Sequence, residues 1–123
     1  LIVPSRYPTE YQPHNYIFVK DQAEILAKNY EVKVRGVITI SFRELMKKGI
    51  LSLGVVKYNK NNVDTKLVLI PSIPKCKKIN NFIRNLGNYL LIRGIVKDID
   101  IVHIHSYLAG DVGIKIKNKL KFY

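Results

Sequence analysis

The run Asp100-Ile101-Val102-His103-Ile104-His105 constrains this chain more than any other stretch. It is short, β-branched and apolar apart from its two histidines, the composition of a central strand buried on both faces of a parallel sheet. Leu108, Val112, Ile116 and Leu120 follow at every fourth position, the stripe of an amphipathic helix. The chain is therefore expected to pass from strand to helix across His105, Ser106 and Tyr107. In open α/β sheets that carboxyl edge is where ligands bind. Two imidazoles arriving there give the clearest pointer to function.

The rest of the sequence alternates strand and helix signals. Leu1 to Val3 reads as the end of a first strand stopped by Pro4, and the polar, proline-rich Ser5 to Pro13 reads as a loop. Asn15 is expected to cap a helix from about Tyr16 to Lys28, with Val19, Ala23, Leu26 and Ala27 on one face and Phe18 and Ile25 flanking it. Val32, Val34 and Val37 mark a second strand, which completes a βαβ unit with a right-handed crossover. Phe42 to Lys48 is a short helix ended by Gly49. Ile50 to Tyr58 and Val63 to Ile70 form a hairpin around Asn59-Lys60-Asn61-Asn62. A long helix is expected from about Lys77 to Lys97, with Ile79, Phe82, Ile83, Leu86 and Leu90 on one face. Gly87 and Gly94 within it mark close packing or a bend. The expected class is an α/β, Rossmann-like three-layer domain with a mainly parallel sheet and helices on both faces. Leu1 to Val3 and Asp100 to His105 are among its central strands.

Length sets the domain count: 123 residues favour a single unit over 1–123. No apolar run reaches the roughly 18 residues of a membrane span, and no secretory leader is visible. The single Cys76 cannot close an internal disulfide, which fits a reducing, cytoplasmic setting. Leu1 opens the chain inside an apolar run without a methionine, so the sequence reads as part of something longer. The net charge of +12 could draw phosphates, nucleic acid or an anionic membrane face. It is spread along the chain rather than gathered in an arm, which favours a solvated lysine-rich surface and argues against nucleic acid.

Residues two apart on a strand share a face and lie roughly 6.7 Å apart along it. His105, nearer the edge, is the ligand-facing candidate. His103, placed deeper, either supports it or is a buried histidine bonded to backbone. H-x-H can chelate zinc, but no third ligand and no HExxH accompanies it, so no metal is expected. A G-x-S-x-G elbow is absent, as are G-x-G-x-x-G and G-x-x-x-x-G-K-[ST] phosphate loops.

Pro4-Ser5-Arg6-Tyr7-Pro8-Thr9, then Ile17 to Ala27 (IFVKDQAEILA), then Glu31-Val32 resembles the opening of family 4 (group 1) glycosyltransferases. Asp100-Ile101-Val102-His103-Ile104-His105-Ser106, with Ala109-Gly110 after it, resembles the same family's D-[VIL]-[VIL]-H-x-H strand and following helix. The two segments cover the ends of the chain; Thr39 to Pro74 shares only the alternation of strands and turns.

The resemblance implies the N-terminal, acceptor-side half of a two-domain GT-B enzyme. Such enzymes retain anomeric configuration and usually require neither metal nor cofactor. The C-terminal half, which holds most of the nucleotide-sugar donor and an E-x-x-x-x-x-x-E motif, would be absent from this chain. On that match His105 is the expected catalytic residue, facing the donor sugar, and His14, Asn15, Tyr16, His103, Ser106 and Tyr107 are expected to contact substrate. The partners implied are a nucleotide-sugar donor, a saccharide or lipid-linked acceptor and, given the charge, peripheral contact with the inner face of an anionic membrane. One departure stands out: Tyr16 occupies a position where the family usually has glycine. It either reshapes the acceptor pocket or is a surface variant. The competing class is a non-catalytic basic α/β module that binds nucleic acid or another anionic partner.

Overall fold

The computed structural model describes residues 1–48, 53–105 and Ile114. Its elements in chain order are β1 (Ile2–Pro4), α1 (Ile17–Leu26), β2 (Val32–Ile40), α2 (Phe42–Lys48), β3 (Gly54–Lys60), β4 (Val63–Pro71), α3 (Lys77–Ile92), a 3₁₀ turn (Val96–Asp98) and β5 (His103–His105). The sheet order is β3-β4-β2-β1-β5. β3 pairs antiparallel with β4, and the other three pairings are parallel. The chain is thus an α/β domain with a mostly parallel mixed sheet, compatible with a Rossmann-like fold.

Strand periodicity divides the core. Ile2 and Val3 are neighbours and must point to opposite faces. Ile2 joins Val34, Ile38 and Ile40 with Val19 and Ala23 of α1 and Leu45 of α2. Val3 joins Ile92 and Val96 on the other side. Helices therefore cover both faces, and β1 lies inside the sheet as expected. Val19 and Ala23, with Ala27 at the C-cap, form the buried stripe of α1, while Phe18 and Ile25 are exposed.

The β3–β4 hairpin closes through Asn61 (φ 52°) and Asn62 (φ 63°). Two successive positive φ values define the type I′ turn whose twist suits a hairpin, and asparagine tolerates them better than most residues. Asn59 and Lys60, expected in the turn, instead end β3. Gly49 and the start of the expected strand from Ile50 lie outside the described residues, as does the expected helix carrying Leu108, Val112, Ile116 and Leu120.

Three expectations need correction. The Asp100–His105 run does not form a strand throughout: β5 begins only at His103 and, among the described residues, has a strand neighbour on one side only. Only Val102 and Ile104 reach the core, on the α3 side, while Ile101 is 76% exposed. Asn15 does not cap α1. The cap position is Tyr16, and the Asn15 amide donates to Gln12 Oε1 at 2.7 Å. The long helix stops at Ile92, with Arg93 as its C-cap just before Gly94.

The rotation of α3 is unusual. Arg84, Asn88 and Ile92 face inward, while Ile79, Phe82, Ile83, Leu86 and Leu90 share the outward face. The sheet beneath explains this. That side of β2 carries buried Arg35, whose guanidinium holds Asp64 of β4 at 2.5 Å. β1 ends at Pro4, packed against Gly36, so Val37 has no strand partner there. Its N–H donates instead to Asn88 Oδ1 at 2.7 Å. Gly87 allows the approach: a Cβ there would lie 2.6 Å from Val37 Cγ2.

Gly87→Ala should therefore destabilise the domain by about 1–3 kcal/mol in denaturant unfolding, as over-packing does. Gly94→Ala, with nothing within 4 Å of the added methyl, should leave stability equal or higher. Equal stability of the two variants would contradict this packing.

Candidate functional site

The parallel register brings Ile2 opposite His103, Val3 opposite Ile104 and Pro4 opposite His105. The pairing is anchored at its start, where His103 N–H donates to Leu1 C=O at 2.7 Å. From β1 the chain runs through α1 to β2 on one side, and it later returns through α3 to β5 on the other. The sheet's topological switch point thus lies between β1 and β5, and its carboxyl edge is marked by Pro4 and His105. Ligands of open α/β sheets enter at such a point.

The two imidazoles do share a face, and they stack with ring centroids 4.3 Å apart and an interplanar angle of 21°. Their depths are the reverse of the sequence expectation. His103 is exposed, whereas His105 is half-buried and its Nε2 is buried with no hydrogen-bond partner among the described residues. The reason is local. Among the described residues β5 has no neighbour beyond it, so its first residue is bare, while Phe18 at the start of α1 lies against the last. The Phe18 ring meets His105 edge-on at 6.3 Å and 69°.

From Phe18 the aromatic contacts continue outward. Tyr16 lies 5.2 Å from Phe18, and the Arg6 guanidinium sits 5.5 Å from the centre of the Tyr16 ring, within cation–π range. The loop after β1 holds Arg6 there. Tyr7 and Tyr11 are buried in the core, so Arg6 between β1 and Tyr7 faces solvent. Tyr16 has φ 53°, a left-handed conformation that favours glycine and costs a bulky side chain roughly 1–2 kcal/mol. The site therefore demands a glycine-like backbone at position 16 and fills it with a tyrosine ring. No side chain caps α1, and its first turn carries no acid.

Of the expected site residues, His103, His105 and Tyr16 come together. Asn15 faces Gln12 instead, His14 is exposed in the preceding turn, and Ser106 and Tyr107 lie outside the described residues. Phe18 and Arg6 were not among the expected contacts. The available signal for Phe18 was its position off the Val19, Ala23, Ala27 stripe: a large aromatic that the core does not need. Arg6 offered none.

Burial and the neighbouring His103 both hold the His105 imidazole below its usual titration range, burial contributing more. At neutral pH His105 is thus a neutral ring whose Nε2 can donate or accept, according to which nitrogen carries the proton. Among the described residues no three or more His, Cys, Asp or Glu side chains gather as a metal site. Two grooves lie beside the sheet, and the first of them reaches His103. One, of about 400 Å³, sits at the amino edge beside Leu1, Tyr30 and Asp98; the other, of about 650 Å³, lies between Pro8–Pro13 and the β3–β4 strands. Neither includes His105. The second is lined by Thr9, Glu10 and Tyr58 together with apolar residues of the β3–β4 strands. No protein-family model, curated protein or solved structure matches this chain.

The pKa direction sets a sign. A histidine held neutral by the fold contributes stability that is complete above the ordinary value of about 6.5 and is lost as pH falls through the lower folded midpoint. Histidine NMR titration should place His105 below 6.5, and His103→Asn should move it upward. His105→Gln should flatten the acid-side loss of stability. A His105 midpoint at or above 6.5 would contradict the geometry.

Proposed function

We propose that this chain is the acceptor-side half of a retaining transferase that moves a sugar from a nucleotide-sugar to a saccharide or lipid-linked acceptor. The observation that carries the reading is the position of His105. It stands at the carboxyl end of β5, opposite Pro4, at the topological switch point of the sheet. The resemblance of Pro4–Thr9, the α1 segment and the D-I-V-H-I-H run to family 4 glycosyltransferases supports the same reading. So does the left-handed backbone of Tyr16, since that is the conformation a glycine at the matched position supplies freely.

In this account a second, donor-binding domain faces the β1–β5 edge and carries the base and diphosphate contacts. His105 presents a neutral, desolvated nitrogen to a hydroxyl of the donor sugar and holds the anomeric carbon near the acceptor. Such a group acts through position: its hydrogen bond is stronger in a partly dry cleft than in water. The Tyr16 and Phe18 rings flank the approach. Neither a metal nor a cofactor enters the scheme.

In the full-length protein, His105→Ala should lower turnover by roughly 10²–10³-fold, the usual loss for one positioned polar group. His103→Ala, a change at an exposed ring, should leave the melting temperature nearly unchanged. Steady-state kinetics and thermal unfolding on both variants test this. Near wild-type turnover in His105→Ala would remove the imidazole from the reaction, and failure to transfer from any nucleotide-sugar would remove the activity.

A further inference from the structure

Helix α3 presents Ile79, Phe82, Ile83, Leu86 and Leu90 to solvent along one side, at the i, i+3, i+4, i+7 spacing of a continuous stripe. In a helix of an α/β layer that stripe ordinarily faces the sheet. Here the polar side is committed inward, by Asn88 on the Val37 N–H and by the close contact at Gly87. Rotating the stripe onto the sheet would break that hydrogen bond and bury the stripe against Arg35. Among the described residues the outward face is thus left uncovered.

Charge narrows what can cover it. From residue 65 through residue 97 the sequence has no aspartate or glutamate. Lys75, Lys77 and Lys78 are exposed at the amino end of α3, and Arg93 and Lys97 are exposed at its carboxyl end. None of these five takes part in the ion pairs among the described residues. Lysines at a helix amino terminus oppose the helix dipole, and no acid in the first turn offsets them. A second copy of this chain would bring cation against cation in either helix orientation. An apolar stripe with cations at both ends matches a surface that is apolar below and anionic above.

We propose that α3 is a membrane-docking helix, which lies in the plane of an anionic bilayer with Phe82 and Leu86 at the centre of the inserted face. The contact is peripheral: no described helix is long and apolar enough to cross a membrane. Insertion of the stripe supplies apolar burial, and the flanking lysines and arginine supply attraction to lipid phosphates that weakens as salt rises. The inference rests on α3 alone and does not depend on the transferase reading.

Vesicle co-sedimentation tests it, with the chain mixed with phosphatidylglycerol–phosphatidylcholine vesicles and separately with pure phosphatidylcholine. Binding should occur to the anionic vesicles, fall with added salt and be weak on the neutral ones. F82S/L86S should lower partitioning by more than about tenfold with an unchanged melting temperature, because both side chains are exposed. A second variant, K75E/K77E/K78E, should lower it through charge alone. Equal binding by F82S/L86S would overturn insertion of the stripe, and absence of binding to anionic vesicles would overturn the proposal outright. A lower melting temperature in F82S/L86S without vesicle binding would show that the protein covers the stripe itself, which also overturns it.

Discussion

Three residues hold the site together. Ile2, Val3 and Pro4 are all buried, and among the described residues this short strand is what joins β2 to β5. Its pairing with β5 runs through every residue of both strands, with Ile2 against His103 and Pro4 against His105. Everything proposed for the carboxyl edge follows from that register. A shift by one residue would turn both imidazoles to the α3 side, where Val102 and Ile104 now pack, and would expose apolar side chains in their place. The alternation of apolar and histidine residues in β5 therefore enforces the register that puts His105 beside Phe18.

The two faces of the sheet are not equivalent. Under α1 and α2 the strands present Val34, Ile38, Ile40, Leu67 and Leu69, a continuous apolar layer. Under α3 the layer is mixed: Val3 and Val37 are apolar and buried, and beside Val37 the strands carry Arg35 and Asp64, paired with each other. The Arg35 guanidinium holds the Asp64 carboxyl below the usual carboxylate range, chiefly through their hydrogen bond. A helix laid on such a surface gains by presenting Asn88, which accepts from the Val37 N–H as no leucine could. The amphipathicity of α3 is thus inverted relative to its layer, and the same inversion leaves its apolar stripe outside.

Much of this was legible in the sequence. The valines of β2, the Val19, Ala23, Ala27 stripe and the asparagines of the hairpin each encode a local requirement, and those elements form, with the hairpin turn narrowed to Asn61 and Asn62. Gly87 was legible as either close packing or a bend, because a glycine inside a helix costs stability, and the contact with Val37 decides for packing. The position of β5 at one edge of the described sheet was not legible. A run such as Ile101-Val102-His103-Ile104 has the same composition whether one or both sides are covered, and only the sheet order decides. The outward turn of α3 was hidden for a similar reason: periodicity shows that a stripe exists, while the partner surface determines where it points. The depth of the two histidines depended on Phe18, a residue nearly ninety positions away in the chain, which no local pattern connects to them.

The claim that a ligand meets this chain at the β1–β5 carboxyl edge can be tested on the chain itself. Saccharide acceptors, added to isotopically labelled protein, should shift NMR resonances of Arg6, Tyr16, Phe18 and His105 together, with the largest change at the His105 ring. Shifts confined to the groove between Pro8–Pro13 and Tyr58, Leu67 and Leu69, with His105 silent, would contradict the account.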